Sequence, residues 1–141
     1  MIIAMPATLL TAIATLLALL VYIWNFMNVG KMRGKHGINA PATTGNPEFE
    51  RAYRIQLNMV EQLIIFLPLL WLANAYFSLM PYLVGALGLI WVVGRVMYSV
   101  GYMADPAKRS TGFMVSAIAT LALLVMAVIG IVMAFMALNA A

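Results

Sequence analysis

The chain has 141 residues and a net charge of +4; 65% of its residues are hydrophobic and only 9% are charged. Soluble domains contain about 25% charged residues, so this composition excludes an ordinary soluble domain. The absence of cysteine excludes a disulfide framework, a thiolate nucleophile of the protein's own and cysteine-ligated metal sites. Thiol chemistry at this protein would need a sulfur atom from a ligand.

Three stretches contain no Asp, Glu, Lys or Arg: residues 1–30, 62–94 and 110–141. Each exceeds the roughly 20 apolar residues that cross a hydrocarbon core, and the turn Ser78-Leu79-Met80-Pro81 divides the second stretch. We therefore predict an all-α integral membrane four-helix bundle, a single domain over residues 1–141. The predicted spans are about 7–28, 48–77, 81–104 and 111–138.

The charged residues indicate how the spans are oriented. The N-terminus lacks a basic segment and a convincing cleavage site, so we interpret it as a retained first span. Polar loops are expected from Gly30 to about Pro47 and from Asp105 to Ser110, and both contain basic residues. Both loops fall on one side of a four-span bundle, so the positive-inside rule predicts that they are cytoplasmic and that both termini lie outside. The basic residues form no extended face, so membrane lipid is an expected partner and nucleic acid is not.

The second and third spans each contain a stripe of polar residues. Arg51, Arg54, Asn58 and Glu61 share one face of the second span at about 100° per residue. Arg95, Tyr98 and Tyr102 share one face of the third span, and Arg109 follows two turns later. If these spans are antiparallel neighbours, the two stripes converge at one membrane face. Ionisable residues at membrane depth are candidates for function.

The polar stripes allow several interpretations. Arginine binds carboxylates bidentately and a glutamate suits an ammonium group, so glutathione, a phospholipid head or another amphiphilic anion would each fit part of the pattern. Alternatively, Arg54 or Arg95 forms a buried ion pair with Glu61 that only fixes helix register. The two tyrosines would then be ordinary packing residues. A small transporter or channel is a further hypothesis, disfavoured because the charges cluster at one face.

Two segments resemble a known family. Residues 45–61 read GNPEFERAYRIQLNMVE and contain the pattern E-R-x-x-R-x-x-x-N-x-x-E, and residues 95–102 read RVMYSVGY, followed by Arg109. They are similar to the signature of the membrane-associated proteins in eicosanoid and glutathione metabolism, the MAPEG family. That family includes microsomal glutathione transferases, the cysteinyl-leukotriene synthase, a prostaglandin E synthase and the five-lipoxygenase-activating protein. The resemblance covers nearly the whole chain.

The resemblance implies a homotrimer that binds glutathione between subunits near the cytoplasmic face, without a metal. It implies a glutathione transferase, with peroxidase activity as a second possibility, in a bacterial inner membrane. Arg109 would be catalytic, because a nearby cation lowers the thiol pKa from about 8.5 and the thiolate is the nucleophile. The thiolate would attack a lipophilic electrophile or reduce a lipid hydroperoxide, a detoxification chemistry. The implied glutathione-binding residues are Arg33, Arg54, Gln56, Asn58, Glu61, Arg95, Tyr98 and Tyr102.

The chain departs from the leukotriene-forming members at two positions. Gln62 stands where they have a tyrosine, and Gly34 stands where they have a second arginine. The alternative function is therefore a non-catalytic lipid-binding scaffold of the five-lipoxygenase-activating-protein type. Retention of Arg109 together with the glutathione-binding set favours the enzyme.

Overall fold

A computed structural model describes residues 6–140, and all regular secondary structure in that range is helical. All four long helices are long and apolar enough to cross a membrane, which confirms the predicted all-α architecture. The helices are α1 (Ala7–His36), α2 (Pro47–Tyr76), α3 (Pro81–Ala104) and α4 (Arg109–Ala140), with a short 3₁₀ turn at Pro106–Lys108 before α4.

Helix α3 lies at the centre of the bundle and packs against α1, α2 and α4. Half of the residues in the apolar stretch of α3 are buried, against 22% in the corresponding stretches of α1 and α4. Trp91 of α3 stacks on Phe66 of α2 with ring centres 3.8 Å apart and the rings 1° from parallel. Polar residues on the inner face of α3 are therefore enclosed by protein rather than lipid.

Helix α1 is longer than the predicted first span, and the loop predicted to begin at Gly30 begins only at Gly37. Gly37 ends the helix in the left-handed conformation (φ 64°, ψ 33°), which glycine adopts without steric cost. The position of the first basic residues did not mark the end of the helix. Basic side chains favour helix and complement the negative end of the helix dipole. The residues that are helical instead of lying in the loop include Lys31, Arg33, Lys35 and His36.

The start of α2 is fixed by capping and by an ion-pair cluster. The Asn46 side chain accepts hydrogen bonds from the backbone N–H groups of Glu48 (2.9 Å) and Phe49 (3.4 Å), the typical role of an N-cap residue. The Glu48 carboxylate contacts Lys35 Nζ at 3.0 Å and His36 Nε2 at 2.9 Å. These contacts tie the end of α1 to the beginning of α2.

A tight turn joins α3 to α4. Asp105 is extended (φ −157°, ψ 125°), and its side chain caps the 3₁₀ turn that follows. A Cβ atom on Gly101 would lie 2.6 Å from the carbonyl oxygen of Lys108, so the turn packs directly on α3 at this glycine. Helix α4 consequently begins at Arg109, earlier than predicted, and its first residue lies beside the last turn of α3.

Candidate functional site

A cavity of about 360 Å³ opens where the first turns of α2, the last turns of α3 and the start of α4 meet. Its volume is within the range of small-molecule sites, about 300–1,000 Å³. Two groups of residues line it. The sequence predicted the first group, which is Arg54, Asn58, Tyr98, Tyr102 and Arg109. The second group follows Arg109 on α4 and consists of Ser110, Phe113 and Met114.

The predicted convergence of the polar stripes of α2 and α3 is confirmed by a direct hydrogen bond. Arg95 Nη2 of α3 donates to Asn58 Oδ1 of α2 over 2.7 Å. Asn58 Nδ2 in turn lies 3.5 Å from Glu61 Oε2, at the limit of a hydrogen bond. The two helices therefore share one polar network.

Arg54 and Glu61 form an ion pair that is open to solvent. Arg54 Nη1 lies 3.4 Å from Glu61 Oε1, and the two side chains are 52% and 54% exposed. An exposed pair of this kind contributes little to stability. The alternative of a buried Arg54–Glu61 ion pair is therefore right about the contact, but the pair is not buried in the single subunit, so both groups are accessible to a ligand there.

Arg109 lies over an aromatic part of the cavity wall. Its guanidinium carbon is 5.4 Å from the centre of the Tyr102 ring, within cation–π range. The Tyr102 and Tyr98 ring centres are 5.7 Å apart, and Tyr98 lies 6.4 Å from Phe113. No carboxylate pairs with Arg109 within residues 6–140. Its charge is therefore available to an anion in the cavity.

Arg95 was predicted to be part of the polar lining, but it does not line the cavity. Its exposed fraction is 0%, because α3 is enclosed by the other helices. It contacts two residues of the cavity wall, Asn58 and Tyr98. Nor does it form the alternative ion pair with Glu61, since no carboxylate lies within pairing distance of it in the described part of the chain.

Two further predicted residues lie outside the cavity of the single subunit. Arg33 Nη1 donates to the carbonyl oxygen of Ala42 over 2.8 Å, and its guanidinium carbon is 4.7 Å from the centre of the Phe49 ring. These contacts hold the loop after α1 against α2. Gln56 is half-buried on α2 and is not part of the cavity wall. Among residues 6–140, neither residue joins the other predicted glutathione-binding residues in the cavity wall.

Sequence reasoning missed three residues of the cavity wall. Ser110, Phe113 and Met114 contribute one polar and two apolar side chains from the first turns of α4. The signal was present, because these three residues are spaced as i, i+3 and i+4 and so share one face of a helix that begins at Arg109. The prediction of a loop up to Ser110 concealed that spacing.

Arg51 lies outside the cavity and joins two of the helices that form it. Its Nη1 donates to the carbonyl oxygen of Met103 in the last turn of α3 over 3.1 Å. The carbonyl groups of a last turn lack helical partners, and a cation there also complements the helix dipole. A second, more open recess of about 550 Å³ adjoins this contact and shares Arg54 and Tyr102 with the cavity. The start of α2 and the end of α3 are thus held in register.

Comparisons with known proteins agree with the signature. The model of the MAPEG family matches residues 11–129. An uncharacterized protein of Synechocystis sp. is 42% identical over 120 residues, 85% of this chain and 86% of that protein. Microsomal glutathione S-transferase 2 of Bos taurus is 40% identical over 111 residues, 78% of this chain and 74% of that protein. Leukotriene C4 synthase of Cavia porcellus is 35% identical over 127 residues, 90% of this chain and 83% of that protein. The chain therefore belongs to the MAPEG family, as the segments at residues 45–61 and 95–102 predict.

Proposed function

We propose that this protein is a membrane-bound glutathione transferase that joins the glutathione thiolate to lipophilic electrophiles. The observation that carries the proposal is the position of Arg109, a cation without a carboxylate partner among residues 6–140, which lines the same cavity as Arg54 and Asn58. Two of the relatives bear the names of a glutathione S-transferase and of leukotriene C4 synthase. The proposal accounts for both the family and the charge pattern.

Glutathione supplies the groups that the polar side of the cavity can bind. Its two carboxylates suit guanidinium groups such as that of Arg54, and its ammonium group suits Glu61. In the free protein Arg54 and Glu61 neutralise each other at 3.4 Å. Because this pair is exposed, a ligand with both charges can replace it by two new pairs at little cost in stability. The Tyr98 and Tyr102 hydroxyl groups and the Asn58 amide remain for the peptide groups.

Arg109 is the group that we propose activates the sulfur. It is the first residue of α4, where the helix dipole is already positive, so its own helix does not neutralise it. A cation within a few ångströms favours the ionised form of a thiol and so lowers the thiol pKa. The chain has no cysteine, so the thiolate formed here is that of glutathione.

The apolar side of the cavity would receive the second substrate. Phe113 and Met114 lie on α4 beyond Arg109, and both are exposed. A lipophilic electrophile entering from the membrane would meet the sulfur there, a carbon–sulfur bond would form and the leaving group would depart. With a lipid hydroperoxide, the thiolate would attack the terminal oxygen and release the alcohol after proton uptake. A second glutathione would convert the resulting sulfenic acid to the disulfide and water.

We also propose a homotrimer with its basic segments on the cytoplasmic side of a bacterial inner membrane. The cavity is open on one side in the single subunit, and Arg33 and Gln56 lie outside it. A neighbouring subunit packed against the opening would add Arg33 to the glutathione site. Chemical crosslinking in detergent tests the trimer, and labelling of single introduced cysteines in right-side-out vesicles tests the topology.

Turnover of a generic aryl halide by purified protein in detergent tests the proposed function. Arg109→Ala is compared with Lys108→Ala, which removes the adjacent exposed cation that does not line the cavity. We expect conjugate formation by the wild type and by Lys108→Ala, and a loss of at least about tenfold in kcat for Arg109→Ala. Equal turnover of the two variants would remove Arg109 from the mechanism. Folded wild-type protein without conjugate would favour the lipid-binding scaffold.

A further inference from the structure

Arg95 is a fully enclosed cation in the middle of the bundle. Its exposed fraction is 0%, and within residues 6–140 no carboxylate pairs with it. Burying a charge without a counter-charge is costly, and an apolar side chain would fill the same space without that cost. Its presence in α3 therefore calls for a role beyond packing.

Two residues of the cavity wall contact the Arg95 guanidinium group. Nη2 donates to Asn58 Oδ1 over 2.7 Å, and the guanidinium carbon lies 4.2 Å from the centre of the Tyr98 ring. Asn58 and Tyr98 line the cavity, whereas Arg95 does not. Arg95 can therefore affect a ligand only through these two side chains.

The contact with Arg95 fixes the orientation of the Asn58 side-chain amide. A guanidinium group only donates hydrogen bonds, whereas an amide has one accepting end and one donating end. Asn58 must therefore turn Oδ1 toward Arg95, which leaves Nδ2 on the other side, 3.5 Å from Glu61 Oε2. The reversed amide would set two donors against each other inside the protein. An asparagine without this contact would be free to turn either end toward a ligand.

We infer that Arg95 is a positioning residue that locks the Asn58 amide with its N–H groups directed toward the cavity and Glu61. The Asn58 N–H groups can then donate to a carboxylate or carbonyl oxygen of the ligand, and this part of the cavity wall disfavours a ligand group that donates. The buried charge also polarises the amide, which strengthens its N–H groups as donors. This inference rests on the proposed function, since the ligand oxygen it assigns to Asn58 is one of glutathione.

A double-mutant cycle with Asn58→Leu and Arg95→Met tests the contact without any ligand. Asn58→Leu leaves the Arg95 charge without its acceptor, so we expect a marked fall in melting temperature in detergent. Adding Arg95→Met replaces the stranded pair by two apolar side chains, so we expect the melting temperature to recover. A double variant that melts as low as the sum of the two single effects would overturn the inference.

The same variants test the effect on glutathione binding, measured by calorimetry. Arg95→Met retains Asn58 but frees its amide, so we expect the Kd for glutathione to rise by roughly tenfold or more. The double variant should bind no more weakly than Asn58→Leu alone, and Arg95→Lys should recover part of the affinity. The kcat at saturating glutathione should change little in Arg95→Met, because Arg95 does not reach the cavity that would hold the sulfur.

Ser99→Ala is the matched control for these measurements. Ser99 is 1% exposed, lies one turn from Arg95 on α3 and is not part of the cavity wall, so the wild-type Kd is expected. If Arg95→Met lowers the melting temperature and leaves the Kd unchanged, its role is structural and the inference is wrong. If the wild type itself does not bind glutathione, the proposed function fails. The melting-temperature cycle then still decides whether Arg95 holds the Asn58 amide.

Discussion

The guanidinium carbon of Arg109 lies 5.4 Å from the centre of the Tyr102 ring, so the first residue of α4 rests on the last turns of α3. This contact holds the cation in the wall of the cavity that Arg54 and Asn58 also line. It depends on the tight turn between the two helices, which brings residues seven positions apart in the sequence into contact.

Removal of the Tyr102 ring is expected to lower turnover by loosening Arg109. A cation–π contact at an exposed site is worth about 0.5–1 kcal/mol, so Tyr102→Leu should lose roughly two- to fivefold in kcat with an aryl halide. Tyr102→Phe retains the ring and should keep most of the kcat, and loss of the hydroxyl should appear as a higher KM for glutathione. Equal kcat values for the two variants would show that the ring does not position Arg109.

Gly101→Ala is expected to displace the turn that carries Arg109. The added Cβ would lie 2.6 Å from the Lys108 carbonyl oxygen, a backbone atom that can move only with the whole turn. We expect a lower melting temperature together with a lower kcat. Gly30→Ala is the control: nothing lies within 4 Å of its added Cβ, so it should be neutral or stabilising in helix α1. Wild-type kinetics for Gly101→Ala would show that the turn tolerates the shift.

Glu61→Gln is expected to weaken glutathione binding without destabilising the fold. The Arg54–Glu61 pair is more than half exposed, so its loss should change the unfolding free energy by less than about 1 kcal/mol. The Kd for glutathione should rise, because the ammonium group loses its counter-charge. An analogue that lacks the α-amine should bind wild type and variant about equally. A variant that discriminates against the analogue as strongly as the wild type would place the ammonium group elsewhere.

Arg51→Gln is expected to affect stability more than chemistry. The lost hydrogen bond to the Met103 carbonyl oxygen, 3.1 Å long, joins the start of α2 to the end of α3. A bond to a charged donor contributes about 1.5–3 kcal/mol, so the melting temperature should fall. Lys31→Gln, which removes an exposed cation on α1, should leave it unchanged. A fall of similar size in both variants would indicate a general charge effect instead of this contact.

Composition and helical spacing were sufficient to predict the four helices and the meeting of two polar stripes. Arg54, Asn58, Tyr98 and Tyr102 line the cavity because a spacing of four residues puts each pair on one helix face. That argument needs only the helical period and an antiparallel neighbour. The family signature added the catalytic role of Arg109, whose approach to Tyr102 depends on a turn that no periodicity describes.

Arg95 and Arg33 show what spacing alone does not reveal. Arg95 shares a face with Tyr98, yet it is fully buried behind Asn58, because depth within a bundle depends on how closely the neighbouring helices approach. Arg33 was assigned to a loop but lies in α1 and donates to Ala42, because the helix persisted through the basic residues. Ser110 was missed for the converse reason, since α4 begins one residue before it.

The most direct test of the account is the ultraviolet absorbance of the thiolate when glutathione is added to the purified protein at neutral pH. We predict a thiolate signal that saturates with glutathione in the wild type and in Lys108→Ala, and that is lost in Arg109→Ala while calorimetry still detects bound glutathione. An Arg109→Ala protein that binds glutathione and shows the full thiolate signal would contradict the role of Arg109. Wild-type protein that is folded and shows neither binding nor thiolate would contradict the proposed function itself.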